Sequence, residues 1–275
     1  MDDELTDDEL IFSDEDEDEI LFEDKILFED KILFEDIYDY IIPFIIAYNE
    51  NEKLIDQNKI YAHIKGGSSI KYHLNKMNVD TENITNDIDI MLLNYETDAT
   101  TSFKHFYNIL TEYIPDITWN IIFENGIYII KIGDVNIIDV SFYSEMNHFN
   151  DETSMFNYAL TELNLTIYDY YTQIISSDDI ETITFTSPEF EFNCTIKAID
   201  VYTNYINEIE SKKTKMEKLI NQKEQLGIED ESIYHYELLI NQLNYELRPE
   251  HIDKLINKLN RYEIKLELIR EYLTI

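Results

Sequence analysis

Residues 65–93 constrain the chain most. Lys65-Gly66-Gly67-Ser68-Ser69 opens a segment of helical pattern, and Asn86-Asp87-Ile88-Asp89-Ile90-Met91-Leu92-Leu93 follows with the alternation of a strand. Two of the five glycines in the chain stand side by side at the first of these points. A Gly-Gly pair followed by hydroxyl residues at a helix start offers a phosphate chain three things: backbone N–H groups, the positive end of the helix dipole and O–H donors. In a strand, residues two apart share a face, so Asp87 and Asp89 are expected to project together while Ile88 and Ile90 enter the core. Carboxylates spaced roughly 6 to 7 Å along one strand face suit divalent cations that bridge phosphate oxygens.

The segment that follows supplies a third carboxylate. Thr97 to Thr101 reads as a loop capping a helix that runs through Tyr113, and Pro115 stops it. Three strands are then expected at 118–123, 127–132 and 135–142, separated by Asn125-Gly126 and Gly133-Asp134, both tight-turn signals. Asp139 lies in the last of them, within Ile137-Ile138-Asp139-Val140-Ser141-Phe142. A helix, a strand, a second helix and an antiparallel meander in this order would bring Asp139 beside Asp87 and Asp89.

The glycine turn, the Asp-apolar-Asp strand and the later strand-borne Asp resemble the signature of the nucleotidyltransferase superfamily. Within it the chain looks most like the poly(A) polymerase catalytic subunits of poxviruses and giant viruses. The resemblance covers residues 58 to 200, and the separation of Ser68 from Asp87 is longer than the common spacing of the superfamily. It implies an α+β fold, a nucleotidyltransferase-type mixed sheet with flanking helices; a C-terminal helical bundle, read from the heptad pattern below, is expected to follow. It implies that Asp87, Asp89 and Asp139 are catalytic and hold Mg²⁺ or Mn²⁺, and that Gly66, Gly67, Ser68 and Ser69 grip the phosphates of ATP. Lys65 reads equally as a phosphate counter-charge or as an ordinary strand-end lysine. The implied activity is template-independent addition of AMP to RNA 3′ ends, as in mRNA processing. Two alternatives stay open: an enzyme of the same fold acting on a protein or small molecule, and an inactive member serving as a scaffold or subunit.

Charge divides the chain into three parts. The net charge is −37, and residues 1–40, 41–200 and 201–275 carry −17, −17 and −3. Residues 1–36 form an acidic low-complexity tail built on repeats of Ile-Leu-Phe-Glu-Asp-Lys. A six-residue period turns about 240° per repeat on a helix and on a strand splits each apolar triplet between two faces, so neither pattern gives a good core element. The tail reads as a solvated segment or as one that docks a partner or inhibits the site. The nucleotidyltransferase-like domain is expected at 37–198, with Glu181 to Ile196 folding as a hairpin around Ser187-Pro188. Residues 199–275 change to heptad seams: Ile199 to Ile220, Ile233 to Leu247, and Ile252 to Leu273. They are expected to form a helical bundle, packed within the chain or shared with a second copy or another subunit.

A polymerase that tracks RNA normally presents a basic groove, because neutralising phosphates and releasing counterions supplies much of the affinity. Here the base-rich stretch is Lys212, Lys213, Lys215, Lys218 and Lys223, in a segment that is still net negative. An RNA 3′ end as acceptor would therefore call for a basic partner subunit; otherwise the acceptor is not RNA. The single Cys194 excludes an internal disulfide framework, which fits a reducing compartment. The six histidines lack zinc-ligand spacing and are read as surface or second-layer residues. The apolar run from Ile37 to Ala47 is too short for a membrane span. A cytoplasmic location is expected, or the host cytoplasm or virion if the chain is viral.

Overall fold

Five segments with alternating or continuous apolar residues form the strands β1 (Tyr61–Lys65), β2 (Ile88–Leu93), β3 (Trp119–Glu124), β4 (Ile127–Ile132) and β5 (Val135–Phe142). They make one mixed sheet in the order β1-β2-β5-β4-β3. β1 runs antiparallel to β2, β2 parallel to β5, and β5, β4 and β3 form an antiparallel meander. The computed structural model describes residues 34–55, 58–79, 81, 84–93, 98–124, 126–142, 152–225, 238–241, 244 and 247–274. The helices are α1 (Phe34–Leu54), α2 (Gly66–Asn75), α3 (Ala99–Tyr113), α4 (Glu152–Glu162), α5 (Ile167–Ile175), α6 (Ile180–Thr184), α7 (Pro188–Gln225) and α8 (Pro249–Thr274). The protein is thus α+β and mostly helical, with helices flanking the sheet.

The meander lies where the turn signals put it, and Asp98 caps α3 by accepting the Thr100 and Thr101 N–H groups at 3.0 Å. On one face of the sheet Ile64, Ile88, Ile90, Ile138 and Val140 are fully buried. The opposite face carries Tyr61, Met91 and Leu93 under Leu160 of α4, Tyr170 and Tyr171 of α5 and Phe190 of α7. The outer edge of β1 is closed by α1. Asn49 exchanges hydrogen bonds with the Ala62 N–H and C=O at 2.8 and 2.9 Å, and Glu52 Oε2 accepts the Ile60 N–H at 2.8 Å.

The hairpin expected at 181–196 is helical instead. Ser187 and Pro188 start α7: the Ser187 hydroxyl accepts the Phe190 N–H at 3.2 Å, and proline suits the first helical position because its missing N–H is not needed there. The alternation Glu189-Phe190-Glu191-Phe192 imitates a strand only over its short length. The folded unit begins at Phe34, three residues before the expected start, and runs to Ile275. Phe34 contacts Tyr38 on the next turn of α1, and the Lys71 ammonium lies over both rings. The repeats of residues 1–33 lie outside the described residues.

No helix break occurs at the boundary expected between 198 and 199, since α7 runs through it. The first and third heptad seams lie on α7 and α8, which pack together, with Tyr202 stacked on Tyr262. The second seam lies largely outside the described residues. α8 also packs on α2, where Ile269 joins Ile70, Leu74 and Ile84 in a buried cluster. Among the described residues no helix is long and apolar enough to cross a membrane.

His63, expected as a surface or second-layer residue, is 1% exposed. Its Nδ1 donates to the Ile183 carbonyl at 2.7 Å and its Nε2 accepts from the Tyr170 hydroxyl at 3.0 Å, an arrangement that suits the neutral ring. Burial lowers its pKa to about 4 from 6.5. The unfolded chain therefore takes up a proton that the folded one refuses between these values. The His63 contribution should be constant above pH 6.5 and should cost about 3 kcal/mol as pH drops toward 4. Urea midpoints measured across that range check it, and a flat profile through pH 6.5 to 4.5 would remove His63 from the account.

Candidate active site

The parallel pairing of β2 with β5 places Asp89 directly opposite Asp139, and the antiparallel pairing of β1 places Lys65 on the other side of Asp89. Lys65, Asp89 and Asp139 therefore stand on one rung at a strand spacing of about 4.8 Å. Ile129 of β4 and Ile122 of β3 continue the rung toward the far edge. On the Asp89 face helices cover Met91 and Leu93, while Asp89 and Asp139 are half-buried and the Oδ1 atom of Asp139 is enclosed. Asp87 differs from expectation in one respect. It lies in the bend that leads into β2 rather than on the strand, while Ile88 and Ile90 are fully buried as the alternation requires.

The glycine turn packs against these carboxylates. Lys65 is the extended residue before α2, and its own side chain does not cap the helix. Gly66 has φ +72°, which side chains disfavour, and a Cβ there would sit 2.6 Å from Asp89 Oδ2. A Cβ on Gly67 would meet Thr85 Cβ at 2.7 Å. Both positions need glycine so that the backbone can close on the start of β2. The two serines behind them are fully buried. The Ser68 hydroxyl donates to the Asp87 carbonyl at 2.7 Å and the Ser69 hydroxyl to the Thr186 carbonyl at 2.8 Å. In this arrangement the hydroxyls expected on phosphate tie α2 to the Asp87 bend and to the start of α7. The Thr85 hydroxyl reinforces the bend by donating to the Asp87 carbonyl at 2.7 Å.

Burial pushes the Asp87 carboxyl above the usual carboxylate range, while the Thr85 hydroxyl and the cations of Arg261, Lys258 and Lys65 pull it back down. Two of those cations come from α8, and Arg261 also donates to the Asn86 side-chain oxygen at 3.0 Å. The lysines singled out in the sequence lie elsewhere: Lys212 and Lys213 pair with Glu208 and Glu217 along α7. Sequence reasoning missed Lys258, Arg261 and Lys265. Their spacing of three and four residues puts them on one face of the third heptad helix, and that signal was available.

The chain matches no family model, no curated protein and no solved structure.

Among the described residues no three His, Cys, Asp or Glu side chains are grouped as a ready-made ion cage. Mg²⁺ does not need one, because it is usually held by one or two carboxylates, with water and substrate phosphates completing the octahedron. The in-register pair Asp89 and Asp139 offers only hard oxygen donors, and the glycine at 66 lets the α2 backbone close against Asp89. The donor set fits Mg²⁺ or Mn²⁺.

Proposed function

We propose that the protein is a metal-dependent nucleotidyltransferase of the superfamily fold, with ATP as nucleotide and an RNA 3′ end as the first-choice acceptor. The observation that carries this is the rung on which Lys65, Asp89 and Asp139 stand side by side under the start of α2. Asp89 and Asp139 would hold the cation, with Asp87 beside them at the entry to the strand. The cation, when bound, supplies charge neutralisation for the leaving pyrophosphate and lowers the pKa of the acceptor hydroxyl. The chain's own groups orient the reaction. Apart from the Gly66 N–H, which Glu191 accepts, the first-turn amides of α2 and the helix dipole would attract the phosphates, with Lys65, Lys258 and Arg261 adding counter-charge.

A second reading has its own observation. Beyond Asp139 the rung continues with Ile129 and Ile122, and Ile121, Ile122 and Phe123 are exposed on β3. An apolar acceptor side favours a protein or small-molecule hydroxyl over a polyphosphate backbone, unless a basic subunit supplies the missing charge. Incubation with each nucleoside triphosphate labelled at the α-phosphate, with Mg²⁺ or Mn²⁺ and with or without RNA, separates the readings. Label on RNA supports the first, and label on protein or a small molecule supports the second. Label on nothing, with either metal, contradicts both and leaves a scaffold of the same fold.

A further inference from the structure

One buried carboxylate holds the turn on which this site depends. Glu191 lies in the first turn of α7 and is 2% exposed. Its Oε1 accepts the Gly66 N–H at 2.7 Å and the Thr186 hydroxyl at 2.9 Å, and its Oε2 accepts from Lys265 Nζ of α8 at 2.9 Å. Lys265 is itself 5% exposed. Taking an ion pair out of water is costly, and an apolar pair of similar volume often serves stability as well, so the fold alone does not call for these two residues. What the pair does supply is a charged acceptor for the first amide of α2, a donor that a helix start leaves without an intrahelical partner. Because the Gly66 backbone lies against Asp89 Oδ2, the position of that amide also decides where the Asp89 carboxylate can sit. Lys265 neutralises Glu191, which would otherwise repel an incoming phosphate. Arg261, one turn earlier on α8, holds Asn86 on the other side of the Asp87 bend.

We infer that Glu191 is a positioning residue, locked by Lys265 of the C-terminal helix, that sets the Gly66 turn against Asp89; its role in catalysis rests on the nucleotidyltransferase reading. The C-terminal helix is then part of the site's support and not an appendage. Two double variants of matched volume test this. Glu191→Gln with Lys265→Met keeps an acceptor for Gly66, whereas Glu191→Leu with Lys265→Met removes it. The Gln variant is expected to retain transfer within a few fold. The Leu variant is expected to lose kcat by about 100-fold, the usual scale for a misplaced catalytic group, with KM for nucleotide changed much less. Amide hydrogen exchange at Gly66 should rise at least about tenfold in the Leu variant alone, relative to amides of the β4–β5 hairpin. Should the Leu variant fail to fold, Glu191→Asp decides. It keeps the buried charge but is too short to reach both Gly66 and Lys265, and it is expected to lower kcat by about tenfold or more. Equal Gly66 exchange and equal kcat in the two double variants, or full activity in Glu191→Asp, would overturn the inference. A wild-type protein that transfers nothing would sink the functional reading, while the exchange comparison would still decide whether Glu191 holds the turn.

Discussion

Asp139→Asn is expected to abolish nucleotidyl transfer, by at least about 10³-fold in kcat, and to leave the protein folded. Asp139 stands opposite Asp89 on the neighbouring parallel strand. Two carboxylates about 5 Å apart repel by up to about 3 kcal/mol at an effective dielectric near 20, before solvent screening of these partly exposed groups. Replacing one of them with a nearly isosteric amide relieves that repulsion, so the melting temperature should stay level or rise. The response to metal should change in the opposite direction. At about 100 times its Kd, a ligand that binds only the folded state stabilises by about 2.7 kcal/mol, which for a domain of this size raises Tm by roughly 5 to 10 °C. Wild type with Mn²⁺ and nucleoside triphosphate should show that rise, and Asp139→Asn should lose most of it. Differential scanning calorimetry beside the transfer assay checks both. An unfolded variant would make Asp139 structural, and a fully active one would remove it from the site.

Gly66→Ala carries the second large effect, and it should fall on activity more than on stability. The φ of +72° costs a non-glycine residue about 1 to 2 kcal/mol, which lowers Tm by several degrees. The added Cβ meets the end of a movable side chain, Asp89 Oδ2, at 2.6 Å. The clash is therefore relieved by swinging the carboxylate aside, which spares the fold and displaces the group that matters. A displacement of about 1 Å costs about 100-fold in rate. Gly66→Ala should then retain its circular dichroism spectrum and lose transfer by that factor. Full activity in a folded Gly66→Ala protein would mean that the turn does not set Asp89.

The residues that declared themselves in the sequence are those whose signals are local. β4 and β5 could be read because Gly126 and Gly133 punctuate three alternating runs, and the capping residues of 97–101 announced α3, which begins inside that stretch at Ala99. The glycine turn and the strand position of Asp89 were legible because the Gly-Gly pair and the apolar alternation around Asp89 are themselves local signals. What was not legible depends on distant partners. Glu191 sits in a stretch whose four-residue alternation suggested a strand, and its meaning comes from Gly66 and Lys265, which lie 125 and 74 residues away. Ser68 and Ser69 have the hydroxyls expected on phosphate, yet their donors go to the Asp87 and Thr186 carbonyls, a choice set by how α2 docks. Lys258 and Arg261 share a face with Lys265 in the sequence, but that this face meets the Asp87 bend follows only from the docking of α8 on α2. Heptad spacing shows that a helix has an apolar seam, and says nothing of which surface its basic face will meet.

The most direct test of the account is to locate the metal itself. Crystals grown with Mn²⁺ and a non-hydrolysable nucleoside triphosphate, measured at the manganese absorption edge, should show an anomalous peak between Asp89 and Asp139, about 2.0 to 2.2 Å from an oxygen of each. The nucleotide phosphates should lie toward Gly66 and Lys65. A peak held by other residues, or nucleotide bound away from the start of α2, would contradict the account.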